Sequence, residues 1–263
     1  MGKNKAFTLI FVIRQQSKID LTVDQLDGVG PQTKKKLEAF GIKNIMDICV
    51  RGAKEVQEIT GVDKGKANSW VFNSQKILEE AGSIRKTDMS VTELMKYHTN
   101  LDRISTKCKE VDELFGGGLT PESVYEVYGE FGCGKTQFCL TLTAEAIARG
   151  DTVIWIDCED TFRPKRLAEI LLARELATEE NVLDKLELIK YFYTPNSEQL
   201  MGTVDSLSDL MMELKPRIVI LDGSIGQFRE EYLGRGTLAE RQNQLARLMT
   251  HIKNISFYFR CTV

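Results

Sequence analysis

Between residues 101 and 263, short apolar runs alternate with longer stretches of helical period. Val153–Asp157 and Ile218–Asp222 are continuous hydrophobic runs that each end in aspartate, as expected of strands buried on both faces. Val124–Tyr128 alternates in polarity, Leu186–Tyr191 is apolar, and Cys261–Val263 has the look of a strand's first residues. Helices are predicted between these runs, over 135–149, 164–176, 198–214 and 238–255. The alternation predicts an α/β fold, with a parallel central sheet covered by helices on both faces. Ligands of such sheets bind at the carboxyl ends of the strands.

Residues 21–86 have a different rhythm and predict a small all-α unit. Leu26-Asp27-Gly28-Val29-Gly30-Pro31 is a tight turn leading into a helix over Lys34–Phe40, which Gly41 ends. Ile59-Thr60-Gly61-Val62-Asp63-Lys64-Gly65 repeats the pattern before a second helix over Lys66–Glu80. This hydrophobe-Gly-hydrophobe-Gly turn resembles the helix-hairpin-helix element, whose exposed amides hold a DNA phosphate without reading sequence. Gly28, Gly30 and Lys34 are the candidate contacts, with Lys35, Lys36, Lys64 and Lys66 flanking the two turns. Read as a protein-docking module instead, the same unit would carry merely solvated lysines. Residues 87–100 lack clean periodicity and read as a linker with a short helix, so the organisation expected is an arm (1–20), the helical unit (21–86), the linker and a core (101–263).

Charge sharpens this division. Residues 27–86 hold 11 Lys and Arg against 8 Asp and Glu, whereas 87–263 hold 20 against 28, on a chain of net charge −3. The helical unit is therefore mildly basic on an otherwise acidic protein. Ala6–Ile13 is an apolar run of eight residues, too short for a bilayer and followed by Arg14 to Lys18 instead of a cleavage site. No stretch reaches eighteen consecutive apolar residues, so the expectation is a cytoplasmic protein with no membrane contact. The 6 cysteines form no C-x-x-C pair and the 2 histidines stand far apart, so no zinc spacing exists.

The sharpest chemistry is Gly129-Glu130-Phe131-Gly132-Cys133-Gly134-Lys135-Thr136, which fits G-x-x-x-x-G-K-[ST] between a predicted strand and a predicted helix. Backbone amides of such a loop turn inward around phosphate, at a helix N-terminus whose partial charge favours an anion. Lys135 would reach the β- and γ-phosphates, and the Thr136 hydroxyl would hold Mg²⁺. About ninety residues on, Asp222 ends an apolar strand, where a carboxylate can serve the same Mg²⁺. Glu159, two residues beyond another strand, is placed to orient and deprotonate an attacking water. ATP and Mg²⁺ are thus the expected cofactors.

Three segments together resemble the archaeal RadA recombinases, the branch of the RecA superfamily shared with the eukaryotic recombinases. They are Gly129–Gln137, Trp155–Pro164 and Phe228–Gln242, supported by Arg103–Thr106 and Gly116–Leu119. The resemblance spans about residues 21–263. It implies a RecA-like ATPase core and a catalytic glutamate at Glu159. It also implies nucleotide contacts from Gln137 and from Arg166, which would pack on adenine. Segment 228–242 matches the family's first DNA-binding loop, so Arg229, Tyr232, Arg235 and Arg241 would meet single-stranded DNA. Mobile positive charge beside a stacking ring and two glycines suits that role independently.

Departures from the family pattern shape what is expected. Cys133 stands where a small residue such as Ser is usual, Gly223 replaces the usual Ser after the aspartate, and the connection at 144–152 is short. Asp88-Met89-Ser90-Val91-Thr92 stands where a Phe-x-x-Ala motif would anchor the next protomer. The residues given end at Val263, before a second DNA loop or a γ-phosphate-sensing glutamine, so a C-terminally truncated core is expected. The leading reading is an ATP-dependent recombinase of homologous recombination and DNA repair, acting as a filament on single-stranded DNA and pairing it with duplex. The alternatives are an ATP-switched accessory paralogue and a DNA-binding adaptor. For these 263 residues alone, nucleotide and DNA binding without strand exchange is expected.

Overall fold

The computed structural model describes residues 21–263, so the expected arm over 1–20 lies outside the described residues. The helices of the N-terminal unit are α1 (Pro31–Ala39), α2 (Ile45–Thr60) and α3 (Lys64–Glu80). Each starts where the sequence supplies a start signal. Gly30-Pro31 opens α1, the Asn44 side chain accepts from Asp47 N–H in a capping box for α2, and Asp63 caps α3. α2 is interrupted at Gly52, where φ is +77°. Residues 87–100 hold α4 (Val91–Thr99), capped by a Ser90–Glu93 box, and α5 (Lys109–Leu114) follows.

The core runs α6 (Lys135–Ala148), β1 (Val153–Asp157), α7 (Pro164–Ala173), α8 (Val182–Leu186), β2 (Ile189–Tyr193), α9 (Ser197–Asp205), α10 (Leu207–Leu214), β3 (Ile218–Asp222), α11 (Ser224–Glu231) and α12 (Leu238–Phe259). The three strands are parallel in the order β2-β1-β3, confirming the α/β architecture. Register sets Asp157 beside both Tyr193 and Asp222, so the polar ends of the strands line up. Successive residues of β1 feed opposite faces, as the pleat requires. Ile154 and Ile156 pack with Leu200, Val204, Leu248 and Ile252, whereas Val153 and Trp155 pack with Leu140, Leu167 and Leu171. The first of these apolar layers continues without a break into Leu37, Ile48, Trp70 and Leu78 of the N-terminal unit.

Several boundaries differ from expectation. Val124–Tyr128 does not form a strand. Residues 261–263 wedge between it and β3, with Val219 N–H donating to Thr262 O (2.9 Å) and Tyr125 N–H to Val263 O (2.8 Å). Thr262 N–H and Val263 N–H also donate to Arg217 O and Ser123 O, both at 3.1 Å, while Val127 and Tyr128 remain 43 and 88% exposed. The strand expected over 186–191 is displaced to 189–193 by the short helix α8. The helix expected over 198–214 breaks at Ser206 into α9 and α10, and α12 runs four residues past the expected 255.

A buried ion network joins the N-terminal unit to the core. Glu55 on α2 meets His251 Nε2 at 2.8 Å and Arg247 at 3.0 Å, and Arg51 at 2.6 Å. Asp205 at the end of α9 meets Arg51 (2.9 Å), Arg247 (2.7 Å) and His251 Nδ1 (3.0 Å). Glu55, Asp205 and His251 are a donor set a metal could use. Two guanidiniums already neutralise the carboxylates, which makes this an ionic tie and not a metal centre.

Candidate phosphate site at the strand ends

Gly134, with φ +98°, is the last residue before α6, a backbone turn that a side chain would strain. It delivers the loop directly onto the helix N-terminus. Glu130, Phe131, Gly132 and Cys133 are exposed along the loop crest. Gly129 lies at its base, where a Cβ would stand 2.7 Å from Cys133 Sγ and require that thiol to turn away. Lys135 arches back across the loop, its Nζ donating to Gly129 O and Glu130 O, both at 3.0 Å. The ammonium is therefore held over the concave side, where phosphate oxygens could replace the two carbonyls.

Three oxygens converge beside the loop. Thr136 Oγ1 donates to Asp222 Oδ2 (3.0 Å), and Thr161 Oγ1 donates to the same oxygen (3.1 Å). A hydroxyl and a carboxylate are hard oxygen donors suited to Mg²⁺, so Thr136 and Asp222 fit the ion expected of them.

Fully buried Asp157 builds the adjoining turn. Its carboxylate accepts from the backbone N–H of Glu159 (3.1 Å), Thr161 (3.2 Å) and Phe162 (2.9 Å), and from Tyr191 Oη (3.2 Å). Burial, together with that carboxylate, pushes the Tyr191 hydroxyl up to about 12, so it stays a donor. Burial also pushes the Cys158 thiol up to about 11, which keeps it neutral. The turn exposes Glu159 at its outer edge. Arg166, on the first turn of α7, donates from Nε to Gln137 Oε1 (3.0 Å) and pairs with Glu169 (3.1 Å). The nucleotide contacts expected of Gln137 and Arg166 are thus adjacent.

Segment 228–242 is mostly helical instead of one loop. α11 runs to Glu231, a 3-10 turn spans Arg235–Thr237, and α12 begins at Leu238. Arg229 is exposed and Arg241 half-buried. Tyr232 stacks on buried Phe228, with ring centroids 6.3 Å apart and planes 17° from parallel. The side chain of Arg235 lies outside the described residues. Glu231 fixes the start of this segment by accepting from Ser197 N–H (2.7 Å) and from its hydroxyl.

The sequence profile of Rad51 matches residues 98–263, well over half of the chain. The chain belongs to the Rad51 family. It is also 36% identical, over 247 residues, to the DNA repair and recombination protein RadA of Cenarchaeum symbiosum (strain A). That alignment covers 92% of this chain and 61% of the relative, so the chain spans about three fifths of that protein's length.

Within this Rad51-family chain, the N-terminal unit places Gly28 and Gly30 in the turn before α1. Lys66 crosses that turn, 2.9 Å from where a Cβ on Gly28 would stand, and lies over the Trp70 ring at 5.4 Å. Lys34 pairs with Asp24 at 2.5 Å, while Lys35 and Lys64 are exposed. No helix among the described residues is long and apolar enough to cross a membrane. Two contributors escaped the sequence reading, Asp157 as organiser of the turn and Thr161 as second donor to Asp222. Both sit inside the quoted Trp155–Pro164 motif, and their spacing from Glu159 was the available signal.

Proposed function

We propose that this chain binds ATP with Mg²⁺, hydrolyses it, and binds DNA in homologous recombination and DNA repair. The observation that carries the reading is the meeting of the phosphate loop, the Thr136–Asp222 pair and the Glu159 turn at the carboxyl ends of three parallel strands. Lys135 and the α6 amides hold the β- and γ-phosphates, while Thr136 and Asp222 hold the metal. Bound Mg²⁺ would neutralise phosphate charge as it develops. Glu159 orients a water and accepts its proton, and Arg166, steadied by Gln137 and Glu169, flanks the base. Arg229, Tyr232, Arg235 and Arg241 contact single-stranded DNA. The helical unit 21–86, read as a helix-hairpin-helix domain, holds duplex or single-stranded phosphates through Gly28, Gly30 and Lys34.

The test is nucleotide affinity and turnover in two variants. Lys135→Ala should abolish binding. Glu159→Gln should bind and lose about two to four orders of magnitude in turnover, because only the proton acceptor is removed. Native affinity in Lys135→Ala would sink the assignment.

Filament formation with strand exchange is the finer reading, after the family and its relative. An ATP-switched accessory role has one observation in its favour. The linker is clamped to its own core, with the Glu122 carboxylate accepting from Tyr97 Oη and from Arg85 Nε (3.0 Å) and pairing with Arg260 (3.3 Å). Assaying pairing of homologous DNA by this chain separates the two.

A further inference from the structure

The amide of Gln227 is buried on α11 and serves two carbonyls at once. Its Nε2 donates to Cys158 O (3.2 Å) and to Thr194 O, while its Oε1 is buried without a partner among the described residues. The opposite amide orientation would set Oε1 against both carbonyl oxygens, so chemistry fixes which end faces them. Cys158 directly follows β1 and precedes Glu159; Thr194 directly follows β2, and its N–H donates to Asp157 O (2.9 Å). One side chain of α11 thus laces together the ends of two strands at the base of the Glu159 turn. The other end of α11 is tied by Glu231 to the start of α9, and the 232–237 segment begins immediately beyond. At the N-terminal end of α11, Gly223 lies against the Glu159 side chain.

We propose that Gln227 is a positioning residue that couples single-stranded DNA at 232–237 to the turn carrying Glu159. The inference rests on the ATPase and DNA-binding reading above. α11 is two turns long, with DNA-facing residues at one end and the catalytic turn at the other. A shift of its axis on DNA binding must carry the Cys158 carbonyl along or break the Gln227 bonds. Phe228, next to Gln227 on α11, is fully buried and anchors the helix to the core.

Two measurements on the full chain decide this, both with and without a single-stranded thymidine oligonucleotide. One is ATP turnover; the other is hydrogen exchange of the peptide spanning 158–163. In the native protein the oligonucleotide should raise turnover and change exchange at 158–163. Gln227→Leu should keep nucleotide and oligonucleotide affinities within about twofold, while its ratio of DNA-stimulated to DNA-free turnover falls towards one. Gln227→His keeps a single N–H donor in its neutral form and should restore part of that ratio. A native ratio in Gln227→Leu, or exchange at 158–163 in the native protein that ignores bound oligonucleotide, would overturn the coupling. If the leucine variant does not fold, the native exchange measurement alone decides. Turnover that persists in Glu159→Gln fails the assignment of Glu159 as the water-activating base but leaves the exchange result to judge Gln227. An oligonucleotide that does not bind at all overturns both.

Discussion

The Glu159 side chain rests on the α-carbon of Gly223. A Cβ added at 223 would lie 2.5 Å from Glu159 Cγ and 2.8 Å from its Oε1, and φ at Gly223 is +96°. The glycine that follows Asp222 is thus the floor under the proposed water-activating carboxylate. Gly223→Ala should push Glu159 aside and cut turnover by about tenfold or more, since ångström misplacement of a catalytic group is costly. Nucleotide affinity should stay near native. Turnover equal to the native protein in Gly223→Ala would show that the carboxylate does not need this contact.

Metal dependence should follow the Thr136–Asp222–Thr161 contact. Removing Mg²⁺ with a chelator should weaken ATP binding in the native protein. Asp222→Asn should weaken the Mg²⁺ requirement itself, seen as a right-shifted Mg²⁺ titration, with Thr161→Ala shifting it less. Titrations that superimpose across these variants would remove Asp222 from the metal site.

Stability should have a maximum set by the Glu55–His251–Asp205 network. Burial pushes Glu55 up, but the hydrogen bond from His251 and the charges of His251, Arg51 and Arg247 outweigh it and hold the carboxyl at about 2. Burial pushes His251 down, and its contacts to Asp205 and Glu55 outweigh that and raise it above its ordinary 6.5. A depressed carboxylate contributes fully above its unfolded pKa, about 4.5, and that contribution is lost as pH falls towards 2. A raised histidine contributes fully below 6.5 and loses its contribution as pH rises through the folded value. The melting temperature should therefore peak between roughly pH 4.5 and 6.5. Above that window, the native protein should lose stability faster with pH than His251→Asn. Parallel melting curves for the two proteins would contradict this.

Binding of DNA by the helical unit should be salt-dependent and indifferent to sequence. The logarithm of affinity should fall linearly with the logarithm of salt concentration. Replacing exposed Lys35 or Lys64 by Glu should lower affinity uniformly and reduce the slope by about one for each lost contact. A salt-independent signal would assign the unit to protein docking.

Short-range chemistry was legible in the sequence. The apolar runs of β1 and β3 formed with their terminal aspartates side by side, whereas the caps at Asn44, Asp63 and Ser90 were not read from the sequence. Thr136 and Asp222 were expected to share an ion, and they touch. What stayed hidden depends on distant partners. Alternation in Val124–Tyr128 encodes a face but not a neighbour, and the backbone of residues 122–125 meets residues 261–263, about 140 positions on. His251, read as an isolated histidine, meets Glu55 from 196 positions away. Gln227 resembles any polar residue on a helix until its carbonyl partners, 33 and 69 positions distant, are folded against it.

The insertion of residues 261–263 between β3 and segment 122–125 bears on timing. Ser123 pairs with Thr262 across about 140 residues of chain, a strongly non-local contact. Such a contact carries a large loop-closure cost and forms only once the intervening helices and strands are assembled. The segment just before the phosphate loop therefore gains this support from residues far along the chain. During synthesis, the loop's glycines and lysine leave the ribosome long before the residues that brace them. A nascent chain should acquire its local helices early and this brace behind the phosphate loop only after residues 261–263 have been made.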